Sequence, residues 1–356
     1  MSSILVINPG GGSTKIAIFE DEKCILKRTI VHPHDEISKF KDVLSQRLYR
    51  EEAIRQALRE GGADLKSLTA VVGRGGALKP LESGTYRVNR LLAEDIKAGR
   101  VQTEHASNLG ALIAYELAEE IGVPAFMVDP VSVDEFVPEA RISGMPELVR
   151  RSLDHPLNAK MVARKAAAEL GKTYETSNMI VAHLGTGISI SVHMQGRMID
   201  VNNAHDGGPF STQRTGSLPV TQLVDLCYSG KYTRDEMFAK ITRQGGLKAY
   251  LGTDDLREVE DRIESGDEHA ALILRAMAYQ IAKEIGACAA VLSGKIDAII
   301  FTGGIAHSER VVGLVKERIA FLCKNVFVFP GEHEMEAMAA GALRVLRGIE
   351  QAKEYK

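Results

Sequence analysis

The chain has 356 residues, enough for two domains of ordinary size, each with its own core. Apolar residues make up 45% and charged residues 26%, an ordinary globular balance with no low-complexity tract. The net charge of −3, with 44 basic and 47 acidic residues mixed along the chain, leaves no broad basic surface for nucleic acid or an acidic membrane, so a small anionic substrate would need a local cluster of cations.

Cys24, Cys227, Cys288 and Cys323 are widely spaced and form no CxxC or Cys/His grouping, so neither zinc nor a disulfide framework is expected and a reducing, cytoplasmic compartment fits. Met1-Ser-Ser leads straight into a strand without the features of a signal peptide. No apolar run approaches the roughly 18 residues that span a bilayer.

In chain order, Ile4–Asn8 reads as a strand that turns through Pro9-Gly10-Gly11-Gly12-Ser13-Thr14 and leaves through Lys15–Phe19. Glycines at such a hairpin tip allow positive φ and bring backbone N–H groups close to an anion. A third strand is expected near Lys23–Ile30 and a helix over Arg50–Glu60, stopped by Gly61-Gly62. Leu68–Val72 is a short β run leading into Gly73-Arg74-Gly75-Gly76, where glycines expose backbone around a cation. Arg74 is either an exposed residue of a sharp strand-end turn or a bidentate clamp for a carboxylate or phosphate.

Leu91–Ala98 and Ala106–Ile121 are expected helices, the second ended by Gly122-Val123-Pro124. Ala125–Val128 is a buried strand delivering Asp129-Pro130 at its carboxyl end, where ligands collect in open α/β sheets. Asp129 either caps the following turn or holds Mg²⁺ near a phosphate. The pattern from Val149 to Leu170 is helical and basic, with Asp154-His155-Pro156 near its start, and the crossing between domains is expected here. By itself His155 reads as a helix-start or surface residue.

The second half opens on Met179–Gly196, a hairpin whose turn carries His183, Gly185, Thr186 and Gly187 and whose second strand alternates Ile188, Ile190 and Val192 like a half-buried strand. It repeats the first strand, glycine turn and strand about half a chain later, which points to an internal duplication with a cleft between the halves. After Met198–Val201 comes the long polar loop Asn202–Ser217, of the kind that is often functional, in which Arg214 is either a solvated cation or a ligand-binding one. Helices follow to about Gly266, then a long helix over Glu268–Ala290 whose stripe of Leu274, Met277, Ile281 and Ile285 is core packing.

Ala298–Phe301 is a buried strand ending in Thr302-Gly303-Gly304-Ile305-Ala306 before a helix from Ser308. Glycines beside a helix N-terminus make a nucleotide seat, although neither a Walker P-loop nor a Rossmann fingerprint is present. A strand at Val326–Phe329 and a helix over Glu334–Ile349, with the small residues Ala337, Ala339, Ala340 and Gly341, close the chain.

Together the two glycine hairpins, the VDP strand end and the late FTGG loop resemble the acetate and sugar kinase, heat-shock ATPase and actin superfamily, over essentially the whole length. Within it the chain is similar to the acetokinase family and looks closest to its butyrate kinases. AHLGTGISISVHMQG fits the family's second motif at His183, Gly185, Gly187, Ser189, Val192 and Gly196, while VVGRGG, VDPVSVDEF and FTGGIAHSE look like butyrate kinases rather than acetate kinases.

The resemblance implies an α/β fold of two duplicated actin-like, ribonuclease H-like domains with an interdomain cleft. The first would be residues 1–150 plus a C-terminal helix at about 337–356, on the acyl side, and the second residues 151–336, on the nucleotide side. It implies ATP-dependent, reversible phosphorylation of a short-chain fatty acid, butyrate first, with isobutyrate, propionate or acetate as alternatives. Arg74 and Arg214 would clamp the carboxylate and the transferring phosphoryl, and His155 would contact that phosphoryl. Asp129 would act there and, with Glu334 or its neighbour Glu336, organise Mg²⁺. Asn8 and Ser13 would line the phosphates from the first hairpin, His183, Gly185, Thr186 and Gly187 from the second, with Gly303, Gly304 and Ile305 beside the adenosine. It further implies a homodimer through the second domain, with no nucleic-acid or membrane partner.

The chain departs from the family at three places. Gly11 and Gly12 stand where the first motif has Ser or Thr, removing two hydroxyl donors. Arg74 stands where acetate kinases have a histidine. Asp154 replaces the usual aromatic residue before His155 and would raise the imidazole's pKa if the two pair. A sugar kinase with Asp129 as base, and a non-catalytic nucleotide sensor or actin-like assembly protein, are the rival readings.

Overall fold

The β-rich runs build two mixed sheets, one in each of two units, in a computed structural model that describes residues 1–356. The first unit comprises Met1–Asp134, Pro156–Asn158 and His333–Lys356, and the second Glu135–His155 and Ala159–Glu332.

In the first unit β1 (Ser3–Pro9), β2 (Ser13–Glu20) and β3 (Lys23–Val31) form an antiparallel meander. After the short helix α1 (His34–Ile37) and α2 (Arg47–Glu60), β4 (Ala70–Arg74) joins β1 in parallel. Then follow β5 (Thr85–Arg87), α3 (Arg90–Lys97), α4 (Asn108–Ile121) and β6 (Ala125–Val128), which lies parallel to β4.

The second unit begins with α5 (Pro138–Arg141), and α6 (Pro156–Glu169) crosses into it. Its meander is β7 (Asn178–Leu184), β8 (Ile188–Met194) and β9 (Arg197–Val201). The helices α7 (Val220–Tyr228), α8 (Arg234–Thr242), α9 (Gly246–Leu251), α10 (Leu256–Glu264) and α11 (Glu268–Val291) come next. Then β10 (Ala298–Gly303) runs parallel to β7, α12 (Glu309–Ile319) follows, and β11 (Val326–Pro330) lies parallel to β10. The chain ends in the first unit with α13 (Glu334–Leu346) and β12 (Lys353–Glu354).

The sheet orders are β12-β5-β6-β4-β1-β2-β3 and β11-β10-β7-β8-β9. Each contains the same five-strand pattern, an antiparallel meander followed by two strands parallel to its first member, so the duplication anticipated from the two hairpins is a duplication of topology. β5 and β12 went unforeseen because two or three residues are too short to show a period.

Both faces of each sheet are covered. Leu5, Ile7, Ile16, Ile18 and Val71 share a core with residues of α2, α3 and α4. The alternate residues Ile4, Val6, Val72 and Val128 are buried as well, and Gly341 of α13 lies so close to Val128 that a Cβ there would sit 2.6 Å from its methyl carbons. In the second sheet Ile180, Ile188, Ile190, Val192 and Phe301 pack with α11 and α12, while Met179, Val181 and Ile300 pack with α6.

Three sequence expectations need correction. β8 is buried on both faces: Ser189, Ser191 and His193, which its alternation assigned to solvent, are 0%, 1% and 0% exposed. The helix expected from Val149 starts at Pro156, because proline is suited to the first helical position and disfavours helical backbone at the residue before it. Gly73, Gly75 and Gly76 do not expose backbone: a Cβ on Gly73 would fall 2.0 Å from the Gly110 carbonyl and one on Gly76 1.8 Å from the Asn108 side chain. Gly73 and Gly76 let the first turn of α4 lie directly on the end of β4, Gly75 faces Pro130 and Met127, and Arg74 among them is buried.

That close approach has a measurable consequence. Gly73→Ala should lower stability by about 3 kcal/mol, since backbone meets the new methyl group and cannot rotate aside. Urea unfolding would show it as a lowered midpoint with an unchanged slope.

Candidate functional site

Parallel pairing brings distant residues together in the first unit. Ile7 lies opposite Gly73 and Arg74 opposite Val128, so Asn8, Arg74 and Asp129 stand at the carboxyl ends of three neighbouring strands. Glu334, the first residue of α13, joins them: its Oε1 pairs with the Arg74 guanidinium, and its Oε2 accepts a 2.7 Å hydrogen bond from the Asn8 amide. Arg74 Nε is buried without a hydrogen-bond partner.

Asp129 has φ of 36°, a left-handed backbone that side-chain-bearing residues rarely adopt. Its Oδ1 accepts from the Gly84 N–H at 2.8 Å, and its own N–H donates to the Gly84 carbonyl at 3.1 Å. Asp129 thus ties the end of β6 to Gly84, just before β5, rather than capping the turn that follows it. Glu336 stands on the same first turn of α13, 3.9 Å from Lys27 Nζ, away from the Arg74 pair. Ser13 begins β2, partly exposed, beside the glycine turn.

The second unit gathers its own set. The ring of His183, on β7, stacks on His155 with centroids 4.1 Å apart and planes 6° from parallel. His155 Nδ1 lies 3.2 Å from Asp154 Oδ1, the pairing that the Asp-His sequence suggested. Burial alone would raise the Asp154 carboxyl, but His155 and then Ser189 outweigh it and hold the group below its ordinary value.

Arg214 lies against the hairpin tip: a Cβ on Gly187 would sit 2.2 Å from its Nη1. The Ser211 hydroxyl anchors this loop, donating to the Thr186 carbonyl and accepting from the Arg214 N–H at 3.1 Å. Burial lowers the Arg214 pKa below its ordinary value, and no carboxylate pairs with it. His205 was passed over in the sequence. Desolvation first, and then the charge of Arg214, depress its pKa.

Thr302 lies opposite His183, which puts Gly303, Gly304 and Ile305 beside the end of β7. Gly303 has φ of 87° and would press a Cβ to 2.4 Å from the Leu184 carbonyl, whereas Gly304 has open space around it. Neither glycine hairpin uses left-handed backbone, contrary to the sequence expectation: Gly10, Gly11, Gly12, Gly185 and Gly187 all lie outside that region. Gly187 is small because Arg214 occupies the space of a side chain, while Gly11 and Gly12 have nothing within 4 Å of a Cβ.

Behind β8 the buried Ser191 and His193 are satisfied internally. His193 Nδ1 lies 2.7 Å from the Tyr174 hydroxyl and its Nε2 2.8 Å from Ser191, while Lys160 Nζ donates to Glu135 at 2.8 Å and to the Tyr174 hydroxyl at 3.3 Å. Desolvation, with the Lys160 charge, lowers His193 to about 3.

No group of three or more His, Cys, Asp or Glu side chains gathers as a metal cage. Glu334 has one oxygen on Arg74 and the other on Asn8, and Asp129 Oδ1 is held by the Gly84 N–H.

The fold with its two mixed sheets matches that of several solved kinases. The chain superposes on Porphyromonas gingivalis acetate kinase with a TM-score of 0.78 at 19% identity, covering 98% of this chain and 100% of that one. A propionate kinase from Francisella tularensis gives 0.72 at 20% identity, with 95% and 98% covered, and a Thermus thermophilus ROK hexokinase 0.51 at 15%, with 98% and 99% covered. Residues 144–327, more than half of the chain, match the model of the acetokinase family, and the protein belongs to that family.

The buried histidine makes acid stability a test of this core. Between pH 6.5 and about 3 the unfolded chain binds a proton at His193 that the native fold does not, so stability rises with pH across that window, by about 1.4 kcal/mol per unit. His193→Gln should flatten the dependence between pH 7 and 5 in urea unfolding. An unchanged slope would assign acid sensitivity to other groups.

Proposed function

We propose that this protein transfers a phosphoryl group reversibly between ATP and a short-chain carboxylate, with butyrate the leading substrate. The observation that carries the reading is Arg214, a guanidinium with no carboxylate partner lying against the glycine tip of the β7–β8 hairpin. Family membership and the likeness to acetate and propionate kinases support the substrate class.

The chemistry suits these residues. A carboxylate is already a nucleophile at pH 7, so no general base is needed; catalysis must overcome repulsion between two anions and hold the reacting oxygens in line with phosphorus. In this reading Arg74 and Arg214 clamp the carboxylate and the phosphoryl, and the Arg74 Nε–H supplies a donor for a substrate oxygen. His155, held by Asp154 and stacked on His183, contacts the phosphoryl. Asn8 and Ser13 serve the phosphates from the first hairpin, His183, Gly185, Thr186 and Gly187 from the second, and Gly303, Gly304 and Ile305 lie along the adenosine.

Asp129 and Glu334 are the carboxylates suited to steady the hydrated Mg²⁺ that arrives with ATP and neutralises phosphate charge. A homodimer through the second unit belongs to the same reading, and sedimentation would test it.

Turnover of Mg²⁺-ATP with acetate, propionate, butyrate, isobutyrate, valerate and isovalerate, with acyl phosphate trapped by hydroxylamine, tests the function. Butyrate or isobutyrate should lead. Acetate leading would move the protein toward acetate kinases, and absence of hydroxamate from every acid would overturn the reading. Arg214→Ala should cut kcat by about 10³-fold with nucleotide affinity nearly intact. A rate within about threefold of wild type would remove Arg214 from the clamp.

A further inference from the structure

Arg50, on α2, is 0% exposed and forms no ion pair with any carboxylate. Its guanidinium donates to neutral acceptors: Nη1 to the Gly10 carbonyl at 3.0 Å and to Thr14 Oγ1 at 3.1 Å, Nη2 to the Gly11 carbonyl at 2.9 Å, and both Nε and Nη2 to Gln46 Oε1 at 3.0 and 2.9 Å. His32 Nε2 lies 2.8 Å from the Thr14 hydroxyl, and burial together with Arg50 lowers its pKa to about 4, so it adds no charge near neutral pH. A buried charge without a counter-ion is costly, so this one calls for a compensating role.

The peptide geometry supplies that role. In a planar trans peptide the carbonyl and the following N–H point in opposite directions. Turning the Gly10 and Gly11 carbonyls onto Arg50 therefore directs the N–H groups of Gly11 and Gly12 away from it, toward the exposed side of the turn. The Gly12 carbonyl is engaged in turn by the His32 N–H at 2.9 Å. Neither outward N–H makes a backbone hydrogen bond, and with no side chain on either residue an anion can approach closely.

We propose that Arg50 is the positioning residue of the first hairpin: it turns these two peptides so that their N–H groups face outward, and its uncompensated charge makes that face a seat for a phosphoryl dianion. The device takes the place of the two hydroxyl donors absent at Gly11 and Gly12. It deepens the phosphoryl-transfer reading and rests on it for the identity of the natural ligand.

Protein labelled with [¹⁵N]glycine and titrated with inorganic phosphate tests the seat without requiring turnover. In wild type the Gly11 and Gly12 amides should shift saturably. In Arg50→Gln the phosphate dissociation constant at these amides should rise at least tenfold while the other glycine resonances stay dispersed, and Arg50→Lys, which keeps the charge but not the fork, should recover part of the loss. Absence of saturable shifts in wild type, or equal affinity in folded Arg50→Gln, would overturn the proposal. If Arg50→Gln does not fold, Gly12→Pro deletes one outward N–H with Arg50 retained and should weaken phosphate at least threefold; unchanged affinity there would equally overturn it. Phosphate bound at these amides in protein that makes no hydroxamate would remove the kinase reading and leave the seat. Hydroxamate formed with silent Gly11 and Gly12 amides would do the reverse.

Discussion

The pair between Arg74 and Glu334 is the interaction on which the first unit's site depends. It ties the carboxyl end of β4 to the first turn of a helix from the far end of the chain, and Asn8 completes the arrangement by donating to the same carboxylate. Both partners are largely shielded from water, and removing one of such a pair leaves a buried charge at a cost of about 3–5 kcal/mol. The pair does not act alone. Gly341 lets α13 settle onto Val128, so the helix reaches the strand ends at close range, and Gly73 does the same for α4.

Neutral surroundings handle charge differently elsewhere in the molecule. Lys160 is matched by Glu135 in the core of the second unit, whereas Arg50 and Arg214 are desolvated with no carboxylate against them. The Lys160–Glu135 pair satisfies itself within the core. Unmatched burial beside glycine turns leaves positive potential uncompensated by any carboxylate.

Much of the fold was legible because its elements carry strong local signals. The strand over Ala125–Val128, the helices stopped at Gly61 and Gly122, and the Ser308 cap before α12 stand where periodicity and capping residues put them. The failures have a common origin, since alternation cannot tell a polar face in water from one buried against another element. Ser189, Ser191 and His193 look like a solvent face yet meet Asp154, Tyr174 and the α6 side of the sheet. Likewise a glycine cluster around an arginine looks like an exposed loop, whereas Gly73 and Gly76 mark backbone pressed on a helix.

By itself the sequence determined the mixed α/β class, the repeated strand, glycine turn and strand, the family, and the residue types available for binding anions, because those depend on local pattern and on motifs of fixed spacing. Only the tertiary structure decided which charges are paired. That Glu334 meets Arg74 and Asn8 follows from strand register and the return of α13, and that Arg50 turns the glycine peptides while Arg214 rests on Gly187 follows from packing between segments far apart in the chain. Pairing of charges is a property of distances in space, and a linear order of residues does not contain those distances until the backbone hydrogen bonds and the close-packed glycines have set them.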